Sequence, residues 1–242
     1  MIPHKKSAWF VRWFTTQVER RIRKTFSAVH IKNLERLQHA VDAGPTLVVS
    51  NHLCWWDPMF IIVIGHRLVR ADAYAMMDAK NLQRLPFLGR IGGFGVELDN
   101  PRDSKRILKY TAGLLDAPGR LVWIFPQGEE RPSTAPIDDF KRGAALVAAM
   151  ARVPNIVPVG IRYEFRSLPA PEAYMAVGEP LPFDLNVKNG RAAQQEGVIK
   201  ALREIDTFIR APSSSDTFEQ YYARTKQPGA LAERLLSYLA RY

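Results

Sequence analysis

The feature that most constrains this chain is a rhythm of short, predominantly apolar runs set between longer segments of helical period. Residues 46–50 (TLVVS), 121–125 (LVWIF) and 156–163 (IVPVGIRY) are of this kind. Runs this short with apolar residues on both alternations read as strands buried on both faces. Residues 73–77, 94–98 and 173–177 read as further strands. Residues 57–68, 103–116, 139–152 and 192–209 read as helices, the second opened by an acidic cap at Asp103 and carrying Ile107, Leu108, Leu114 and Leu115 on its apolar side. Strands alternating with helices predict an α/β domain with a central, mostly parallel sheet flanked by helices. The length of 242 residues admits one large domain, and 47% hydrophobic residues suffice for its core.

The two ends depart from that rhythm. Residues 6–28 have helical period, with Phe10, Phe14, Val18, Ile22 and Phe26 at four-residue steps and Trp9 and Trp13 beside them. Residues 1–36 hold nine Lys or Arg against two Glu, so this segment carries +7 of the chain's formal +10. A helix with aromatics on one side and basic residues on the other suits a membrane interface. The alternative is a stripe packed on the domain with its charges in solvent. The tryptophan pair and the local charge favour membrane contact. Basic residues beside a Trp/Phe stripe, without dispersed polar readers, argue against a nucleic-acid partner. No segment approaches the ~20 apolar residues of a bilayer span, and the start lacks the pattern of a secretory signal. At the other end, APSSS at 211–215 is a linker-like break, with short helices expected at 218–224 and 230–242. The expected organisation is a basic amphipathic helical segment over 1–36, a catalytic-type domain over 37–210, and a linker with a C-terminal helical appendage over 211–242.

Between two apolar segments lies SNHLCWWDP, residues 50–58. His52 and Asp57 are five apart. In a helix they diverge by about 140°, and in a strand they face opposite sides. They meet only across a turn, and a strand ending at Ser50 followed by a helix starting near Asp57 supplies one. In that arrangement Asp57 is the N-cap and Pro58 the first helical residue. Strand-to-helix junctions of this kind are where open α/β sheets place their sites. A histidine held by an aspartate is a general base of fixed tautomer. Cys54, the single cysteine, excludes an internal disulfide and a multi-cysteine zinc site and fits a reducing compartment. It lies too near His52 in sequence to face it, and reads as a buried thiol rather than a nucleophile. The remaining histidines, His4, His30, His39 and His66, show no ligand spacing, so no metal is expected.

Asn51-His52-(x4)-Asp57 resembles the first motif of the glycerolipid acyltransferases of the lysophosphatidic acid acyltransferase type. Three further blocks come after it in that family's order. Lys80, in AKNLQRLPFLGRIGG, matches its Lys…Leu…Pro–apolar–x–Gly region. FGVELDNPR, residues 94–102, resembles its second block, with Asp99 and Arg102 at the polar end of a strand. FPQGEER, residues 125–131, resembles FPEGTR. Phe140-Lys141-Arg142-Gly143 and the Val-Pro-Val strand at 157–159 resemble the family's segment C-terminal to that block. The likeness covers about residues 45–165.

The resemblance implies an O-acyltransferase that moves a fatty acyl group from acyl-CoA or acyl-carrier protein to a hydroxyl of a lipid acceptor, with no cofactor beyond these substrates. His52 and Asp57 become the catalytic pair. Asn51, Lys80, Arg102, Phe125, Pro126, Gln127, Gly128, Glu129 and Arg131 become the substrate-binding set. It also implies a cytoplasmic protein, peripheral on the inner face of a membrane. The third block departs from the family. Gln127 replaces its Glu, Glu129-Glu130 stand near its Thr, and Arg131 aligns with its Arg only across a one-residue insertion. Two carboxylates there repel a phosphate unless they turn away or pair with a cation. The acceptor is then either lysophosphatidic acid or a non-phosphate lipid such as a glycosylated isoprenoid. The altered block also motivates a non-catalytic membrane-binding homologue, and the same base acting on water would make a thioester hydrolase.

Overall fold

The computed structural model describes residues 1–97, 101–166, 168–211 and 218–223, with only the backbone of 101–103 and 223. The buried strand at the centre is β2 (Thr46–Ser50), all five of its residues inaccessible. It lies between β5 (Arg120–Ile124) and β6 (Asn155–Glu164) and is parallel to both. Outward from β5 come β3 (Asp72–Asp78) and β4 (Gly93–Val96), again parallel. Outward from β6 come β7 (Glu172–Val177), antiparallel to it, then β1 (Ala28–Lys32), parallel to β7, and β8 (Glu219–Ala223), antiparallel to β1. The result is one eight-stranded, mostly parallel sheet of order β4-β3-β5-β2-β6-β7-β1-β8.

Helices cover both faces, and strand alternation decides which residues meet which. Val48, Leu121, Trp123, Val157 and Val159 pack under α1 (Ala8–Thr25), α2 (Leu34–Ala43) and α3 (Trp56–Val63). Leu47, Val49, Val122, Ile124 and Ile156 pack under α5 (Pro101–Gly113), α6 (Gly143–Ala151) and α7 (Val187–Arg210). A short α4 (Ala79–Arg84) follows β3 and leads into a 3₁₀ turn, Pro86–Ile91. Helix α3 closes in a π-helical turn, Ile64–Leu68. Among the described residues no helix is long and apolar enough to cross a membrane.

Three expectations are corrected. Residues 1–36 are not helical throughout: Ala28–Lys32 is a strand inside the sheet and Leu34–Ala43 a separate helix. Val29 and Ile31 lie on one face of β1 and pack into the core, while His30 points to the other face and stacks on Tyr174. The helix expected over 218–224 is instead strand β8, because β1 offers a free edge that the backbone of 219–223 pairs with. The expected helix at 230–242 lies outside the described residues, as do Leu98 and Asp99. The third correction concerns the start of α3 and belongs to the site.

The N-terminal helix is packed on one side and open on the other. Val11, Thr15, Val18 and Ile22 are buried against the domain. Phe14 meets Phe87, and Phe26 meets Trp56 and Phe60. Trp9 and Trp13 stay outside, 66% and 47% exposed, stacked on each other at 6.3 Å.

Candidate active site

The site forms where β2 and β5 end. Ser50, the last residue of β2, is buried and accepts a hydrogen bond from Trp123 Nε1 at 2.7 Å. Asn51 comes next, also buried. Its amide clips β2 to β6 both ways, donating to the Ile161 carbonyl and accepting from the Ile161 N–H, each at 2.9 Å. These bonds hold the exit of β2 in a fixed direction, and the chain then turns.

His52 lies in that turn and is held from four sides. Its N–H donates to Gln127 Oε1 at 3.0 Å and its carbonyl accepts from the Arg131 N–H at 2.9 Å. Its ring stacks on Phe125, with centroids 4.1 Å apart. Its Nδ1 lies 2.6 Å from Asp57 Oδ2. Asp57 is fully buried, and all four of its contacts are donors to a carboxylate. Oδ2 takes the Leu53 N–H at 2.5 Å and the Cys54 N–H at 3.0 Å besides His52, and Oδ1 takes the Tyr163 hydroxyl at 2.7 Å. A carboxylate so surrounded accepts only, so Nδ1 carries the ring proton and Nε2 is left as the acceptor.

The start of α3 differs from the sequence reading. The helix begins at Trp56, so Asp57 and Pro58 sit inside its first turn and Trp55 holds the cap position without a side-chain bond. The Asp57 carboxylate turns back to satisfy the amides of the preceding turn rather than those of the helix, and this brings it to His52. Tyr163, near the end of β6, was not singled out from sequence. Burial, and then the charge of Asp57, push its hydroxyl well above the usual tyrosine range, so it stays a donor. The available signal was a polar-tipped aromatic at the end of a strand neighbouring β2.

Nε2 opens on a cleft of about 440 Å³ whose wall includes Trp55, Pro58, Ile61, Met77, Leu88 and Phe125. The expected substrate-binding residues distribute unevenly around it. Phe125, Gly128 and Glu129 line it. Gln127 is buried and engaged with His52. Pro126 contributes its carbonyl to the Lys141 N–H at 2.8 Å. Gly128 makes the turn possible: its φ is +78°, and a Cβ there would meet Lys141 Nζ at 2.7 Å. Arg131 is drawn aside by Glu129 at 2.9 Å and Asp139 at 2.5 Å and does not line the cleft. Asn51 is buried with its amide bonded to Ile161, and it does not line the cleft. Lys80 is exposed and does not line the cleft, whereas Arg84, one helical turn on, does. The Arg102 side chain lies outside the described residues. Burial pushes the half-buried Cys54 thiol up, with Asp57 and Glu130 adding to it, which leaves a poor nucleophile. Among the described residues no three His, Cys, Asp or Glu side chains converge as metal ligands.

The acyltransferase family profile matches residues 28–162, more than half of the chain. The chain therefore belongs to the acyltransferase family. Its fold is similar to that of the 1-acyl-sn-glycerophosphate (LPA) acyltransferase PlsC from Thermotoga maritima, with a TM-score of 0.59 at 16% identity over 85% of this chain and 81% of that one. No curated protein matches by sequence. Membership of the family supports acyl transfer as the reaction class, and the structural likeness supports the fold.

Proposed function

We propose that this protein is an O-acyltransferase in which His52 activates a lipid hydroxyl for attack on an acyl thioester. The observation that carries the reading is the buried Asp57 carboxylate fixing Nδ1 of His52 while Nε2 faces a largely apolar cleft. The acceptor hydroxyl donates to Nε2. As its oxygen bonds to the thioester carbonyl carbon, the proton passes to Nε2 and Asp57 stabilises the imidazolium. The C–S bond then breaks and the thiolate leaves with that proton. No acyl-enzyme is needed, which agrees with the poor thiol at Cys54. General-base action of this kind contributes about 10²–10⁴ in rate, and holding both substrates together supplies much of the rest. The acyl donor is acyl-CoA or acyl-carrier protein. The acceptor is a lipid hydroxyl, of lysophosphatidic acid or of a non-phosphate lipid such as a glycosylated isoprenoid.

Both substrates partition into bilayers, and the protein has a surface suited to meeting one. The stacked Trp9 and Trp13 project from α1 within the segment carrying +7. Exposed indoles among basic residues favour the anionic headgroup region. The protein is then peripheral, on the cytoplasmic face of the membrane.

The test is incubation of purified protein with labelled acyl-CoA and a host lipid extract. One new labelled lipid is expected, absent with His52→Ala. Turnover retained in folded His52→Ala sinks the mechanism, and acyl-CoA cleavage at the same rate without lipid makes the protein a hydrolase.

A further inference from the structure

The third block, where the chain departs from its family, places a carboxylate beside the reacting position. Glu130 Oε1 lies 4.0 Å from His52 Nε2. The basic residue of the block, Arg131, is turned away and held by Glu129 and Asp139. Of the described charged side chains lining the cleft besides His52, Asp78, Glu129 and Glu130 are acidic and only Arg84 is basic. Glu129 is matched by Arg131, and the Asp78 carboxylate accepts from the Lys80 N–H. Glu130 is left 56% exposed, with no Lys or Arg paired to it among the described residues.

We propose that Glu130 is an acceptor-specificity residue, which takes a hydroxyl adjacent to the one being acylated and disfavours a phosphate monoester. This rests on the acyl-transfer reading above and narrows its acceptor to a lipid with an uncharged vicinal-diol headgroup, as in a glycoside or a glycerol terminus. A 4.0 Å gap is too long for a direct hydrogen bond and too short for an intervening methylene chain. One hydroxyl oxygen bridging the gap has a single proton and cannot donate to both Nε2 and the carboxylate. Two neighbouring hydroxyls can: one donates to Nε2 and reacts, the other donates to Glu130 at about 2.8 Å. A phosphate in the same place puts like charges together in a partly desolvated cleft. An ammonium headgroup would pair with Glu130 but would oppose the positive charge that develops on His52 during transfer. The neutral diol satisfies both groups.

The experiment separates binding from turnover. Octyl glucoside, octyl phosphate and octylamine, each below its micelle point, are titrated onto donor-free protein by tryptophan fluorescence, which Trp55 in the cleft wall reports. Wild type, Glu130→Gln and Glu130→Ala are compared, with folding checked by circular dichroism. Wild type is expected to prefer the glucoside. Glu130→Gln should tighten octyl phosphate about tenfold, one ion-pair's worth of relieved repulsion, and Glu130→Ala should weaken the glucoside several-fold. A phosphate-to-glucoside ratio unchanged by Glu130→Gln overturns the proposal, as does tightest wild-type binding of octylamine. Turnover with acyl-CoA and the same ligands is measured in parallel. Selective binding without transfer overturns the acyl-transfer reading and leaves the role of Glu130 in recognition standing.

Discussion

Replacing Asp57 by Asn isolates what the carboxylate does. In other His–Asp sites the amide often presents its NH₂ to the histidine and imposes the wrong tautomer. Here the Oδ2 position is fixed by two backbone donors, the Leu53 and Cys54 N–H groups, besides His52. The amide oxygen is therefore held toward His52, and the NH₂ meets the Tyr163 hydroxyl, which turns to accept it. Asp57→Asn keeps the tautomer and removes only the charge. With charge centres at about 4–5 Å and an effective dielectric of about 20, carboxylate and full imidazolium attract by about 3–4 kcal/mol. A transition state with the proton about half transferred realises about half of that, or roughly 10–40-fold in kcat. Asp57→Ala also releases the ring and should fall further, towards the full ~10²–10⁴ of the general base. The assay is thiol release from acyl-CoA at saturating acceptor for Asp57→Asn, Asp57→Ala and His52→Ala, with urea midpoints to establish folding. Asp57→Asn within twofold of wild type would show that the charge does not matter. Folded Asp57→Asn as slow as His52→Ala would show that the backbone donors do not set the tautomer.

Tyr163→Phe removes one of the four donors to Asp57. It should lower stability by about 1–3 kcal/mol, read as a urea midpoint, and lower kcat while leaving both KM values near wild type. His66, partly buried and near the Ile91 carbonyl, has its pKa lowered to about 4, chiefly by burial. A histidine that is harder to protonate folded than unfolded leaves the unfolded chain binding more protons between pH 6.5 and 4, so stability falls as pH falls through that window. About 2 kcal/mol is lost from pH 7 to pH 5, and His66→Gln should flatten that slope in urea titrations at the two pH values. Trp9→Ala with Trp13→Ala should reduce cosedimentation with anionic vesicles about tenfold per ring, taking about 1.5 kcal/mol for each buried aromatic. Turnover of a short-chain, micelle-free acceptor should be unaffected.

Whether a residue's role could be read from sequence depends on where that residue gets its stabilisation. The inner strands were legible because burial on both faces makes them continuous apolar runs, as in β2 and β5. The edge strand β8 and its neighbour β1 were not. Their sequences, AVHIK and EQYYA, mix polar or charged residues with apolar or aromatic ones, and what makes them strands is pairing with partners more than a hundred residues away in sequence. The meeting of His52 and Asp57 was legible because only a turn lets residues five apart converge. The roles of Asn51 and Gln127 were not. Both look like substrate contacts in a motif, but each is buried with its amide committed to a backbone partner, Ile161 and His52. That Arg84 rather than Lys80 lines the cleft was not legible either, because it depends on the direction in which a single helical turn faces.

The same distinction explains why reaction and acceptor can vary separately in such a fold. The base is assembled from rigid parts: the buried end of β2, the first turn of α3, and Tyr163 on β6. Each holds Asp57 or His52 through a bond that no surface substitution reaches. The proposed acceptor recognition falls to residues 128–131, a loop shaped by one positive-φ glycine and held to the domain at Gln127, Arg131 and Lys141. Between those anchor points, the Glu129 and Glu130 side chains are more than half exposed, so their charge can change at little cost in stability. Arg131 needs Glu129 and Asp139 to be held aside, and that pairing leaves Glu130 as the acidic group facing Nε2. If that is how this loop selects its acceptor, then Glu129→Thr, which frees Arg131 to swing toward the cleft, should raise phosphate binding by a route independent of Glu130. The double variant with Glu130→Gln should exceed either change alone.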